Sequence, residues 1–277
     1  MPTRSTRRGC PAGYRRPDVA EYDVRAQTYD ATRSASPSTL RALLAALGPP
    51  SGRSLLDIGG GTGNYATALT GAGFDVAIAD ASREMLRRAA KKLSTARLVL
   101  GDALHLPFGD SAFDCAVSVN VSHHLPDWRR HIREAQRIIG AGVFAIQINT
   151  RENLEAHWIF HYFPQAKELT LAYHPGAEEV EQAVRAADFS RVERHGYVFE
   201  DANDGTFEAL KHWPERYLDP EYRRNTSFFR RLAPEVERDG IARLHADYDS
   251  GALSSVIAAY AAELGDAGDS TVFAGWR

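Results

Sequence analysis

The stretch SLLDIGGGTGNYA, residues 54–66, sets an acid, Asp57, at the end of an apolar run and follows it with glycines at positions 59, 60, 61 and 63. A glycine turn after a strand lets a nucleotide lie against bare backbone. Two common versions of that chemistry fail here. The dinucleotide fingerprint needs a third glycine where Asn64 stands, with Gly63 one residue early, and no Gly-Lys-Ser/Thr follows to make a phosphate loop. The cofactor therefore need not carry a pyrophosphate. Two further acids, Asp80 and Asp102, close later apolar runs, and His123 and His124 follow another. Histidine titrates near neutral pH, which suits a base that relieves a nucleophile of its proton. Adjacent histidines do not converge on an ion, and no nearby carboxylate has ligand spacing, so no metal is expected.

These residues must be positioned by regular elements. STLRALLAALG, from Ser38, has helical apolar spacing, a Ser/Thr start and a Gly stop before two prolines. Apolar runs SLLDI, FDVAIAD, RLVLGDA, FDCAVSVNV and GVFAIQI then alternate with helical segments such as REMLRRAAKKL and DWRRHIREAQRII. Strands apolar almost throughout, alternating with helices, predict an α/β fold: a doubly wound, mostly parallel sheet covered on both faces. The alternation breaks after Asn149. Inserts at about 151–175 and 205–265, following the fifth and sixth strands, are expected to form a helical cap over one domain spanning 18–277. Residues 1–17, arginine-rich and without an apolar run, read as a flexible basic tail.

Composition narrows the partners. With 36 acidic and 33 basic residues there is no global field to draw in nucleic acid or an anionic membrane, and no apolar stretch has the length of a membrane helix. Cys10 and Cys115 make neither a disulfide framework nor a metal knuckle. A cytoplasmic protein, monomer or homodimer, acting on a small molecule is expected.

Four segments in order, LLDIGGGTGNYA, IADASREML, GDALHLPF and FDCAVSVNVSHHLPDW, resemble the motifs of the class I S-adenosylmethionine-dependent methyltransferases, a group that includes the ubiquinone and menaquinone methylases. The resemblance implies a Rossmann-like fold, S-adenosylmethionine as methyl donor and S-adenosylhomocysteine as product. It implies Gly59, Gly61 and Gly63 against the methionyl part and the ribose, Asp80 at the ribose hydroxyls, and Asp57, Asn64 and Ala81 as further cofactor-binding residues. Asp102 and Ala103 fall to the adenine edge, with Met85 serving either as its wall or as ordinary core. Asn120 and Val121 would face the methionyl amine, while Tyr29 and Arg33 match a Y-D-x-x-R element that folds over the cofactor.

Methyl transfer from a sulfonium is an in-line displacement, so the protein's main task is to hold the nucleophile. His123 or His124 is a candidate base, although neighbours in sequence do not easily face one pocket together. His161, one helical turn from His157, is a second candidate. Tyr22, Trp158 and Tyr162 are expected to enclose the acceptor, and the aromatic insert suits a bulky, partly apolar one. The competing readings are methylation of nucleic acid or a peptide, and a regulatory module that binds the cofactor without turnover.

Overall fold

The computed structural model describes residues 19–200, 204–261 and 267–277, so the basic tail lies outside the described residues. Short helices α1 (Val19–Arg25) and α2 (Tyr29–Thr32) precede α3 (Pro37–Leu47), which starts where Ser36 Oγ accepts the Thr39 N–H and stops at Gly48. Then follow β1 (Ser54–Ile58), α4 (Asn64–Ala72), β2 (Asp75–Asp80), α5 (Arg83–Lys92), β3 (Arg97–Leu100), β4 (Phe113–Val119), α6 (Trp128–Ile138) and β5 (Ile139–Ile148). The first insert holds α7 (Arg151–Glu155) and α8 (Pro164–Tyr173), and α9 (Ala177–Arg185) leads back into β6 (Arg191–Tyr197). The second insert holds α10 (Glu215–Leu218), α11 (Pro220–Asn225), α12 (Pro234–Ser250) and α13 (Leu253–Ala261) before β7 (Ser270–Trp276).

The strands form one sheet in the order β3-β2-β1-β4-β5-β7-β6. The first five run parallel and β7 runs antiparallel to both its neighbours, with Ile146 opposite Phe273. Side chains alternate between the faces. Leu56 and Ile58 of β1 enter one core with Ile132 and Ile138 of α6 and Val180 of α9; Leu55 enters the other with Leu43 of α3, Leu69 of α4 and Ala89 of α5. Each such large aliphatic side chain contributes about 1.5–3 kcal/mol by leaving water. Because β1, β2, β3 and β4 are parallel, Ile58, Asp80, Leu100 and Val119 all end at the same edge of the sheet. That edge is where open α/β sheets bind ligands.

The inserts build a third core of their own, in which Trp158, Phe160 and Phe163 pack with Phe207, Tyr217 and Phe228. This corrects three expectations. Trp158 is 1 % exposed and its indole N–H donates to Lys211 O at 2.8 Å, so it is core and lines no acceptor space. Tyr162 is equally buried, donating its hydroxyl to Asp247 at 2.8 Å. His161 is exposed on a 3₁₀ turn, Trp158–His161, whose three-residue period breaks the shared face with His157 that an α-helix would have made. His157 is instead buried, stacked on Phe207, and burial pushes its pKa down to about 3. Trp158→Ala is therefore expected to destabilise the fold by about 3–5 kcal/mol while leaving cofactor and acceptor affinities of the folded protein unchanged. Near-native thermal stability with weakened acceptor binding would show a pocket wall instead.

Candidate active site

The turn after β1 is shaped by what surrounds it. Gly59 has φ 73°, and a Cβ there would stand 2.5 Å from Val121 Cγ2; a Cβ on Gly60 would stand 2.7 Å from the Asp57 carboxyl. Glycine is the residue that fits both constraints. Asp57 is 2 % exposed, and burial, with Asp80 nearby, pushes its pKa up to about 7. Its Oδ2 is buried without a hydrogen-bond partner among the described residues. Gly63 faces the other way: a Cβ would stand 3.2 Å from Ala89 Cβ, so it packs α4 against α5 and is not brought to a cavity wall.

At the end of β2, Asp80 Oδ2 accepts the Gly61 N–H at 2.9 Å and Oδ1 accepts the Ser82 N–H at 2.8 Å. The carboxylate thereby fixes the turn and keeps a lone pair on each oxygen for another donor. Burial raises its pKa. Asp102 is more exposed; its Oδ1 accepts the Leu104 N–H at 2.8 Å, so it also acts as a turn residue. Asn120, just past β4, has φ 58°, and its N–H donates to Gln147 Oε1 at 2.9 Å. Gln147 in turn donates to Asn149 Oδ1 and Ser270 Oγ, so β5 and β7 hold the end of β4 in place.

These residues surround a cavity of about 470 Å³. Its walls include Gly59, Gly61, Asp80, Ala81, Met85 and Asp102, joined by Ala103, Asn120, Val121, Tyr29, Tyr22 and His124. The volume is within the range of small-molecule sites. A narrower recess alongside is lined by Asp57, Asn64 and Arg33 and shares Tyr29, Gly59, Gly61 and Asn120 with the cavity. Asn64 is largely engaged there, donating to Arg33 O at 3.1 Å and accepting from Lys92 Nζ at 2.6 Å. The N-terminal helices are fastened across the opening. Asp30 accepts from Thr62 Oγ1 at 2.6 Å and pairs with Lys92 at 2.8 Å, while Arg33 pairs with Asp204 at 3.0 Å.

A second, smaller cavity of about 50 Å³ adjoins the first and shares Tyr22, Tyr29, Asn120 and His124 with it. The 3₁₀ turn Ser122–His124 puts both histidine rings on this cavity, with centroids 3.7 Å apart, which overturns the expectation that neighbours in sequence would diverge. His123 also stacks on His174 at 6.1 Å. Burial holds the His123 pKa well below its ordinary value and pushes His174 down to about 3, so both are neutral at pH 7 and resist protonation. Glu208 lines the same space and is pushed up to about 7, chiefly by burial. His174, Glu208, Arg25 and Arg231 carry no motif and were not legible from spacing. Among the described residues no three His, Cys, Asp or Glu side chains converge on a possible metal position.

The residues fit the methyl donor that the motifs imply. An orphaned carboxylate oxygen of Asp57 meets the need of a cationic amine, and Asp80, with spare lone pairs, meets that of a ribose diol. The sequence pattern described as a methyltransferase domain matches residues 56–146. An uncharacterized methyltransferase of Mycobacterium sp. strain KMS is 37% identical over 98 residues, 35% of this chain and 38% of the relative. The chain thus spans about two fifths of the length of that relative. A demethylmenaquinone methyltransferase of Roseiflexus sp. strain RS-1 is 31% identical over 173 residues, 52% of this chain and 71% of the relative. Among solved structures, one from Anabaena variabilis, described as a methyltransferase from an antibiotic biosynthesis pathway, superposes with TM-score 0.77 at 24% identity, covering 89% of this chain and 99% of that one. With its motifs in order, its sheet topology and these likenesses, the chain belongs to the class I S-adenosylmethionine-dependent methyltransferase family.

Proposed function

We propose that the protein transfers the methyl group of S-adenosylmethionine to a small organic acceptor. The observation that carries this reading is the junction of the two cavities: the larger is of cofactor size, the smaller is walled by polar side chains and two phenylalanine rings, and Tyr22, Tyr29, Asn120 and His124 belong to both. A relative named as a quinone methylase supports a small-molecule acceptor. When bound, the cofactor supplies an electrophilic methyl group on a sulfonium. Asp80 would hold the ribose, Met85, Asp102 and Ala103 the adenine, and Asp57 with Arg33 the charged methionyl end.

The chain's own work is positional. The strapped N-terminal helices exclude water from the junction, and the walls of the smaller cavity hold the acceptor atom toward the larger one, which converts an encounter into an oriented contact. An acceptor that carries a proton needs somewhere to send it. The imidazole of His124 stands at the junction and is the group placed to take that proton, while burial makes His123 beside it the poorer base.

Incubation with methyl-labelled S-adenosylmethionine and a panel of small acceptors is the direct test; tight cofactor binding with no label transferred to any acceptor class would leave a binding module. Asp80→Ala is expected to weaken cofactor binding by about ten- to hundredfold in calorimetry, and unchanged affinity would move the cofactor elsewhere. His124→Ala should lower kcat by about a hundredfold with little change in cofactor affinity. Full turnover in both it and His123→Ala would leave proximity as the main catalytic term. A buried acid whose pKa lies near 7 is ionised only as pH rises through that value. Wild type should therefore gain cofactor affinity over Asp57→Asn between about pH 6 and about pH 8, and a ratio independent of pH would remove Asp57 from the ammonium site.

A further inference from the structure

The smaller cavity is chemically unlike what an aromatic insert leads one to expect. The rings of Trp158, Tyr162 and Phe163 are spent in the insert's own core, and the space beside the junction is bounded by amides, hydroxyls, imidazoles and guanidinium groups together with the rings of Phe207 and Phe228. Three hydrogen-bond donors on that wall have no acceptor among the described residues, and two of them belong to side chains with no ion pair shown. The Tyr22 hydroxyl and Arg25 Nη2 are both buried and unpartnered, and they come from the same helix, α1, with the Arg25 guanidinium 5.0 Å from the centre of the Tyr22 ring. The third, Arg33 Nε, belongs to a side chain already paired with Asp204 and shared between this cavity and the recess on the glycine side.

We propose, building on the methyltransferase reading, that the acceptor carries a carboxylate and that Arg25 and Tyr22 hold it in the smaller cavity. A buried guanidinium N–H without an acceptor costs free energy that a neutral carbonyl relieves poorly and an oxyanion relieves well, because charge-assisted hydrogen bonds are roughly twice as strong. The charge of the wall points the same way. Arg25, Arg33 and Arg231 line the cavity, and Glu208 is the one acid among its described lining residues. Burial holds that acid toward its neutral form. A single negative charge is therefore accommodated, while the doubly charged form of a phosphate would meet Glu208 as it ionises. Size agrees: about 50 Å³ admits a carboxylate and a few atoms beyond it.

The test uses the full chain saturated with S-adenosylhomocysteine, titrated calorimetrically with acetate, glycolate, succinate and benzoate and with the corresponding primary amides. At least one acid should bind about tenfold or more tightly than its amide. Arg25→Gln should erase that preference while the affinity for S-adenosylhomocysteine, measured on the same sample, stays as in wild type, and Arg25→Lys should restore part of it. Acids and amides binding alike, none of either binding, or a preference that survives in Arg25→Gln would each overturn the proposal. Failure of wild type to bind S-adenosylhomocysteine at all would instead remove the methyltransferase reading beneath it. The preserved cofactor affinity of Arg25→Gln also separates a lost anion contact from a variant that does not fold.

Discussion

The site rests on a steric constraint between β1 and its neighbours. The Asp57 carboxyl is buried directly beneath the glycine turn, at a distance that leaves no room for a Cβ on Gly60, while Val121 leaves none on Gly59. The turn can therefore sit only where the carboxylate and the end of β4 allow it. Asp80 then fixes the height of the turn by accepting the Gly61 N–H, so two acids on adjacent strands set both the shape of the loop and the charge beneath it. Burying an ionisable oxygen without a partner is costly, and such a cost persists in folded proteins chiefly where a ligand relieves it. The architecture of the turn and the proposed binding of the cofactor would thus draw on the same two carboxylates.

The rest of the fold locks that turn to an adjoining space. Asn120 adopts a left-handed conformation held by Gln147, which is itself held by β5 and β7, so the antiparallel end of the sheet reaches the site through side-chain amides. From the other side, α1 and α2 line the larger cavity with Tyr22 and Tyr29, and α2 is tied to the glycine turn by Asp30 and, through Arg33 just past it, to Asp204. The larger and smaller cavities then share four side chains, Tyr22, Tyr29, Asn120 and His124. The inserts contribute polar residues such as Thr206, Glu208 and Asn225 and the rings of Phe207 and Phe228, while Trp158, Tyr162 and Phe163 stabilise them internally.

The parallel sheet, its strand ends and the three acids were legible from sequence, since apolar runs closing on an acid before a glycine turn encode both a buried strand and a ligand edge. Asp80, Met85, Asp102 and Asn120 line the larger cavity. What was not legible depends on tertiary packing. Nothing in HWIFHYF distinguishes rings that build a core from rings that wall a pocket, and a 3₁₀ turn in place of an α-helix separated His157 from His161. Gly63 looked like its neighbours in the motif, yet it packs α4 on α5. His174, Glu208 and Arg25 come from three distant segments, so no spacing within one segment could have brought them together.

The central claim is that the paired acids under and beside the glycine turn form the seat of the methyl donor. The most direct measurement is a crystal structure of the full chain grown with S-adenosylhomocysteine. The account predicts the amino-acid end of the molecule against the Asp57 recess and the ribose hydroxyls on Asp80, with its sulfur turned toward the junction at Tyr22 and His124. Density for the nucleoside elsewhere on the protein, or an empty larger cavity at saturating concentration, would contradict it.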